Sequence, residues 1–182
     1  SRLVAHGSVG GRLLNRFSAD EHDGYLRVAT TDGWSRSSNL YVLQQDADRL
    51  ELVGSVEELA PGERIFSARF DGDRAFVVTF RQVDPLFVFD LSDPTDPQAL
   101  GALKVSGYSN YLQVIDENHL LGIGREASSN GQYQEMQVSI FDVSDFSDPQ
   151  LKHRYAFEGG RQLWSPLMAD AWNLGTHHAV SY

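Results

Sequence analysis

A ten-residue segment in the second half of the chain occurs twice, and this repeat limits the possible folds more than any other feature. The segment Phe89–Gln98, FDLSDPTDPQ, returns 52 residues later as Phe141–Gln150, FDVSDFSDPQ, with seven of ten positions identical. Glycine marks a second series, because Gly7, Gly54 and Gly101 follow one another at intervals of 47 residues. Periods of about 40–50 residues are typical of propeller blades or of helical repeat arrays.

The spacing of the apolar residues favours the propeller. No window of about 12 or more residues repeats apolar positions at the helical interval. Short β-rich runs bounded by Asp, Gly, Pro, Asn and Ser occur throughout, and Asp71-Gly72-Asp73 is typical of a tight hairpin. The sequence therefore predicts an all-β fold, a β-propeller of four-stranded antiparallel blades. The strands of each blade are called a to d, and the chain is expected to form a partial propeller of about three full blades plus flanking strands.

The repeat also predicts where each blade lies within a single propeller fragment over residues 1–182. Strand d of a preceding blade is expected at 3–9, and strands a and b of a further blade at 163–182. Whole blades are predicted at 13–56, 65–105 and 111–157. Both ends fall within strand-like runs and no signal peptide precedes the first, which indicates a piece of a longer polypeptide. Unpaired edge strands are templates for another chain, so a homodimer joined through the terminal strands is expected, with closure of the terminal strands within one chain as the alternative.

Composition excludes several classes of function. The 182 residues carry 25 acidic and 15 basic side chains, for a formal net charge of -10. Nucleic acid is therefore an unsuitable partner, because its binding depends on Lys and Arg neutralising phosphates. No apolar run approaches ~18 residues, so direct membrane insertion is not expected. Cysteine is absent, which excludes disulfides, thiolate metal sites and a cysteine nucleophile.

Several segments resemble known families. Leu86–Pro94, LFVFDLSDP, and Ser139–Asp145, SIFDVSD, resemble the LVIVD-type repeat of bacterial and archaeal surface proteins. The stretches Gly11–Asn15, Asp20–Thr31 and Val77–Leu86 are similar to secreted prokaryotic proteins with a C-terminal β-propeller domain distantly related to WD-40 repeats. The resemblance implies an extracellular or cell-surface location in a prokaryote and no known activity. The Gly-His and Trp-Asp signatures of true WD40 blades are not in register.

No combination of nucleophile, base and orienting group can be assembled from the sequence, so an enzyme is not expected. The strands predicted to line the central channel offer no carboxylate; their polar residues are Asn15, Arg16, Ser67, Arg69 and Gln113. The favoured hypothesis is a non-catalytic extracellular interaction module that binds protein or polysaccharide. Two alternatives stay open: a polysaccharide hydrolase or lyase with its site at the channel, and a structural surface-layer spacer.

Strand direction predicts which loops share a face. Because strands alternate, the a–b and c–d loops lie on one face, and the b–c and d–a loops lie on the other. The second face combines arginines with loop aromatics, which are usual in recognition surfaces, although such aromatics also cover blade edges. The candidate ligand-binding residues are Arg12, Trp34, Arg81, Tyr108, Arg125 and Tyr133.

The first face is acidic, and its residues lead to two further predictions. Asp20, Glu21 and Asp23 offer hard oxygen ligands that suit Ca²⁺, with a solvated acidic loop as the alternative; no other cofactor is expected. The aspartates of the repeated segment are predicted to form Asx-type turns rather than to act as acid–base catalysts. Gly54 and Gly101 are predicted to occupy equivalent places in strand d, beside a bulge or a neighbouring backbone.

Overall fold

Twelve strands in the described part of the chain form three antiparallel sheets of four strands, each in chain order. The computed structural model describes residues 4–80, 84–127 and 133–157. Within these ranges the helical structure is one 3-10 turn at Arg16–Ser18, and no helix is long and apolar enough to cross a membrane. The prediction of four-stranded antiparallel blades is therefore confirmed.

The three blades use consecutive parts of the chain. The first contains β1 (Ala19–His22), β2 (Tyr25–Thr31), β3 (Ser38–Asp46) and β4 (Arg49–Leu59). The second contains β5 (Arg64–Asp71), β6 (Arg74–Phe80), β7 (Asp84–Asp90) and β8 (Gln98–Val105). The third contains β9 (Tyr108–Asp116), β10 (His119–Ala127), β11 (Tyr133–Asp142) and β12 (Gln150–Ala156). The strands predicted at 163–182 lie outside the described residues.

The segment before the first blade differs from the prediction. Residues 4–9 do not form the expected strand d; His6 makes an isolated parallel bridge to Arg49 of β4. The bridge consists of His6 N–H donating to Asp48 O at 3.1 Å and Leu50 N–H donating to His6 O at 2.8 Å. A strand d requires an antiparallel strand c as its partner, whereas this segment runs in the same direction as the outer strand of the following blade.

The hydrophobic core lies between blades rather than inside one sheet. Ala75 and Val77 of β6 pack with the first blade, while Phe76 and Val78 pack with the third. Successive residues of a strand point to opposite faces, so both faces of the second blade are covered. Each fully buried Val or Phe stabilises the fold by roughly 1.5–3 kcal/mol, and the innermost strands β5 and β9 pack directly together.

The repeated aspartate turns form as predicted. Asp93 accepts the Thr95 N–H at 2.9 Å, and Asp145 accepts the Ser147 N–H at 2.9 Å. These hydrogen bonds, and above all those from the Thr95 and Ser147 hydroxyls, lower the pKa of both carboxyl groups. Both turns therefore keep their aspartates ionised at neutral pH.

The repeated glycines and the repeated aspartate turns contact each other at the interfaces between blades. Gly54 pairs with Val42 and Gly101 with Val88, each beside a register shift, so their predicted equivalence is confirmed. A Cβ on Gly54 would meet Pro94 O and would lie 2.7 Å from Pro97 Cδ of the next blade. A Cβ on Gly101 would likewise meet the aspartate turn of the third blade. Each turn thus packs into a space that only glycine leaves open.

Candidate functional site

A cleft of about 480 Å³ opens between the first two blades, on the face of the b–c and d–a loops. It is called the arginine cleft here. Its walls combine the segment before the first blade, the β2–β3 loop, the β4–β5 connection and the adjoining ends of β5 and β6. They include Arg12, Leu13, Leu14, Thr31, Asp32, Gly33, Arg36, Gly62, Arg64, Ile65, Phe66 and Phe80.

Two backbone hydrogen bonds hold one wall of the arginine cleft in place. Arg12 and Thr31 exchange N–H···O bonds of 2.9 and 3.0 Å, and the Thr30 hydroxyl donates to Gly10 O at 2.8 Å. The chain turns at Gly11, where φ is +92°, a value that L residues rarely adopt. Leu13 and Leu14 then follow with 52% and 44% of their surface exposed.

An aspartate organises the loop beside the cleft. Asp32 accepts the N–H groups of Ser35 and Trp34, both at 2.7 Å, and the Ser35 hydroxyl at 3.0 Å. The Ser35 N–H, followed by the Trp34 N–H, lowers the pKa of Asp32, so this carboxylate is ionised at neutral pH. The turn holds Trp34 away from the protein, with 97% of its surface exposed.

Three exposed arginines give the cleft its charge. Within the described residues, Arg12, Arg36 and Arg64 make no ion pair with a carboxylate. The Arg64 guanidinium lies over the Phe66 ring, with Cζ 4.7 Å from the ring centre, which fixes its position by a cation–π contact. The nearby Glu63 is occupied, because it accepts the Thr79 hydroxyl at 2.5 Å.

Aromatic rings form the floor beneath the arginines, and Tyr108 is one of them. The sequence placed Tyr108 in or beside a loop, either in a recognition surface or covering a blade edge; it begins β9, and only 3% of its surface is accessible. Its ring centre lies 4.9 Å from that of Phe66 and 5.2 Å from that of Phe80. Tyr108 is buried because it fills the contact between the second and third blades, so it supports the cleft from below.

The remaining candidate ligand-binding residues are distributed as follows. Arg125 is half-buried in β10 and pairs with Tyr108 across the sheet. Arg81 lies outside the described residues, as does the side chain of Tyr133. The structure thus brings Arg12 and the Trp34 loop together, with Tyr108 below them.

A match to a family model covers residues 1–182, with the description "beta propeller domain". The chain belongs to this family. It is 46% identical over 185 residues to an uncharacterized protein of Archaeoglobus fulgidus, covering 100% of this chain and 28% of that protein. It is 41% identical over 172 residues to an uncharacterized protein of Methanocaldococcus jannaschii, covering 92% of this chain and 26% of that protein. The chain thus spans about a quarter of the length of these relatives.

The opposite face of this beta propeller domain carries the predicted calcium ligands. Asp20 forms an ion pair with Arg27, while Glu21, its neighbour on β1, is exposed. Asp23 lies in the following turn, with His22 Nε2 3.6 Å from its carboxylate. Across the described ranges, no three His, Cys, Asp or Glu side chains converge on one point. Calcium binding at this cluster stays a prediction.

The channel of the propeller contains carboxylates, contrary to the expectation from the sequence. Asp20 and Asp71 line a cavity with Arg16, Arg69 and Gln113. The sequence reading placed both aspartates in loops, whereas β1 and β5 extend far enough to carry them into the channel wall. Of the other two predicted channel residues, Asn15 caps the 3-10 turn and Ser67 donates to Ser109 O at 2.7 Å.

The channel aspartates belong to a repeated contact that sequence reasoning missed. Arg27 pairs with Asp20 and donates to Gly72 O in the next blade. Arg74 pairs with Asp71 at 2.7 Å and donates to Glu117 O in the blade after that. An arginine following the a–b hairpin in two successive blades was the available signal. Each of these arginines ties its own blade to the next.

Proposed function

We propose that this domain is a non-catalytic interaction module that binds an acidic protein or polysaccharide through the arginine cleft. The observation that carries this proposal is the set of Arg12, Arg36 and Arg64, which lack ion pairs within the described residues. They lie beside the almost fully exposed Trp34 in a chain whose net charge is -10. Clustered charge of one sign attracts an opposite partner, and Trp and Arg supply much of the energy at binding interfaces.

We also infer an extracellular or cell-surface location in a prokaryote. Support comes from the similarity of several segments to LVIVD-type repeats and to secreted propeller proteins. The two archaeal relatives agree with a prokaryotic context. A ligand exposed outside the cell, such as an acidic surface polymer, would be accessible to the arginine cleft in that location.

A polysaccharide hydrolase or lyase is the second candidate, because Asp20 and Asp71 do line the channel cavity. Both carboxylates are engaged by arginines, and an acid–base catalyst needs a carboxyl group available to the substrate. This arrangement favours binding over turnover. Release of reducing or unsaturated ends from an acidic polysaccharide by the full-length protein would reverse that order.

Tryptophan fluorescence titration tests the proposed binding function. Polygalacturonate and poly-L-glutamate serve as acidic probes, and neutral dextran serves as the control polymer. We expect saturable binding of at least one acidic probe, weakened by salt because exposed charges are screened. Trp34→Ala should weaken binding about tenfold or more, as expected for a central aromatic contact. Because this variant lacks the fluorescent Trp34 side chain, its affinity is measured by calorimetry.

The matched control is a charge change on the other face. Arg36→Gln and Arg64→Gln remove charges from the cleft, whereas Arg49→Gln removes an exposed charge at the start of β4, beside the c–d turn. The cleft variants should lose affinity and Arg49→Gln should keep it. Equal affinity in all three variants, or equal binding of dextran, would contradict the proposal.

A further inference from the structure

A second cavity, of about 490 Å³, lies at the other end of β5. It is called the channel cavity here. Residues from the innermost part of all three blades line it: Arg16, Phe17, Ala19, Asp20, Arg69, Phe70, Asp71, Gln113, Val114 and Ile115. Arg64 in the arginine cleft and Asp71 in the channel cavity are the two ends of β5, about 23 Å apart at ~3.3 Å per residue. The two sites are therefore spatially independent.

Arg69 is the central polar group of the channel cavity. Its guanidinium Cζ lies 5.4 Å from the centre of the Phe17 ring, and its Nη2 donates to Gln113 Oε1 at 3.3 Å. No carboxylate among the described residues lies within ion-pair distance of it. A guanidinium carries five N–H donors in a fixed fork, so Arg69 is held in position with most of its donors available.

Gln113 presents a further oriented donor beside Arg69. Its Oε1 also accepts the Tyr111 hydroxyl at 2.8 Å, and its Nε2 donates to Val114 O at 3.3 Å. Because the oxygen accepts two hydrogen bonds, the amide cannot turn over without losing both. One Nε2 hydrogen then has no acceptor within the described residues.

The charges around the channel cavity are unbalanced. Asp20 is paired with Arg27 and Asp71 with Arg74. Arg69 adds a further guanidinium that pairs with no carboxylate of the described residues, so one positive charge stays unbalanced in the cavity wall of a chain that is acidic as a whole. A partly desolvated positive site attracts one anionic group strongly, since the local dielectric constant is lower than that of water.

We propose that the channel cavity binds a sugar acid, such as a uronic acid, with its carboxylate on Arg69. The guanidinium fork matches a carboxylate in bidentate geometry, and the Gln113 amide supplies another donor. The paired Asp20 and Asp71 retain lone pairs that accept hydrogen bonds from sugar hydroxyls. The combination of one unpaired cation with hydroxyl acceptors selects a carboxylate that carries hydroxyl groups. The cavity volume lies within the ~300–1,000 Å³ range of small-molecule sites.

NMR titration with D-glucuronate tests this proposal, with the side-chain resonances of Arg69 and Gln113 as the readout. We expect saturable shifts with a Kd on the order of 1 mM, the range reached by one ion pair with a few hydrogen bonds. D-glucose, which lacks the carboxylate, and inorganic phosphate, which lacks the sugar hydroxyls, should each bind at least about tenfold more weakly. Equal binding of glucose or phosphate would overturn the assignment of a sugar acid.

Variants separate the channel cavity from the arginine cleft. Arg69→Gln should abolish the titration, and Arg69→Lys should weaken it, because a lysine cannot form the bidentate contact. Gln113→Glu places a carboxylate beside Arg69 and should block glucuronate, and its spectrum reports whether the fold is retained. Trp34→Ala should leave the titration unchanged even if the proposed cleft ligand is lost. Glucuronate affinity that is unaffected by Arg69→Gln would overturn the proposal.

Discussion

Gly54 and Gly101 show how a single atom limits the contact between two blades. Their spacing of 47 residues predicted equivalent positions, and the paired registers confirm them. What the sequence did not reveal is the neighbour, because the aspartate turn that fills each space lies about 40 residues further along and in the next blade. Such a contact depends on how the blades pack and not on local preference.

Gly101→Ala is expected to destabilise the protein. The added Cβ would meet Phe146 O and would lie 2.9 Å from both Pro149 Cδ and Ser147 O. These neighbours are backbone atoms and a proline ring, which cannot rotate away, so the free energy of unfolding should fall by about 1–3 kcal/mol. Urea unfolding followed by circular dichroism measures this change.

Gly33→Ala provides the matched control, since a Cβ there would find no atom within 4 Å. Its free energy of unfolding should change by less than about 0.5 kcal/mol, as for most surface substitutions. If both variants lost the same stability, the packing of the turn against Gly101 would not be the cause.

Tyr108 illustrates what residue-level prediction left open. The sequence placed it in or beside a loop and did not decide between a recognition surface and the covering of a blade edge. The aromatic ring is buried because Phe66 and Phe80 of the preceding blade lie against it. Trp34, by contrast, was predicted in a loop and is exposed, since Asp32 and Ser35 organise that turn locally. Neighbouring residues in the sequence predicted the local structure, but they did not predict which residues pack between blades.

At the scale of elements, the c–d turns are organised by aspartates that also affect stability at low pH. Asp142, at the end of β11, accepts the Ser144 hydroxyl at 2.7 Å, the Ser144 N–H at 3.1 Å and the Lys152 ammonium at 3.1 Å. These contacts, the Ser144 hydroxyl foremost, lower the pKa of Asp142 to about 2 from an ordinary value of 3.8. The ionised form is therefore favoured by folding.

The stability that Asp142 contributes should depend on pH in one direction. A carboxyl group whose pKa is lowered by folding stabilises the folded state at pH values above its pKa in the unfolded chain. This contribution is lost as the pH falls toward about 2, the pKa of Asp142 in the folded protein. Asp142→Asn should therefore be less stable than the parent at pH 7, and the difference should shrink as the pH falls from about 4 to 2. Thermal unfolding of both proteins across this range measures the difference.

Asp46→Asn is the control for this experiment. Asp46 is an exposed carboxylate at the end of β3, and its side chain makes no hydrogen bond or ion pair within the described residues. Its stability difference from the parent should stay small and constant with pH. A constant difference for Asp142→Asn as well would contradict the proposed role of its ionised form.

At the scale of the whole molecule, the blade cores lie at interfaces, so each blade depends on a neighbour for burial. The expected homodimer through terminal strands stays a prediction; residues 4–9 lack the strand that was expected to take part, and 163–182 lie outside the described residues. Light scattering tests it: the apparent mass of the isolated chain should rise above 20.3 kDa with concentration. A constant mass of 20.3 kDa at high concentration would rule out self-association.

The two contacts that join the blades have a direction. In the first contact, an arginine of one blade donates to a turn of the next blade. In the second, the aspartate turn of the next blade packs against a glycine of the blade before it. A tandem duplication of one unit within the gene would therefore add a blade that already matches both neighbours. The third blade carries His119 at the place of Arg74 in the second blade, and His153 at the place of Gly54 and Gly101 in the first two. A copy of the second blade inserted after the second would keep both contacts, whereas a copy of the third inserted after the third would meet His119 and His153 where the arginine and the glycine are needed.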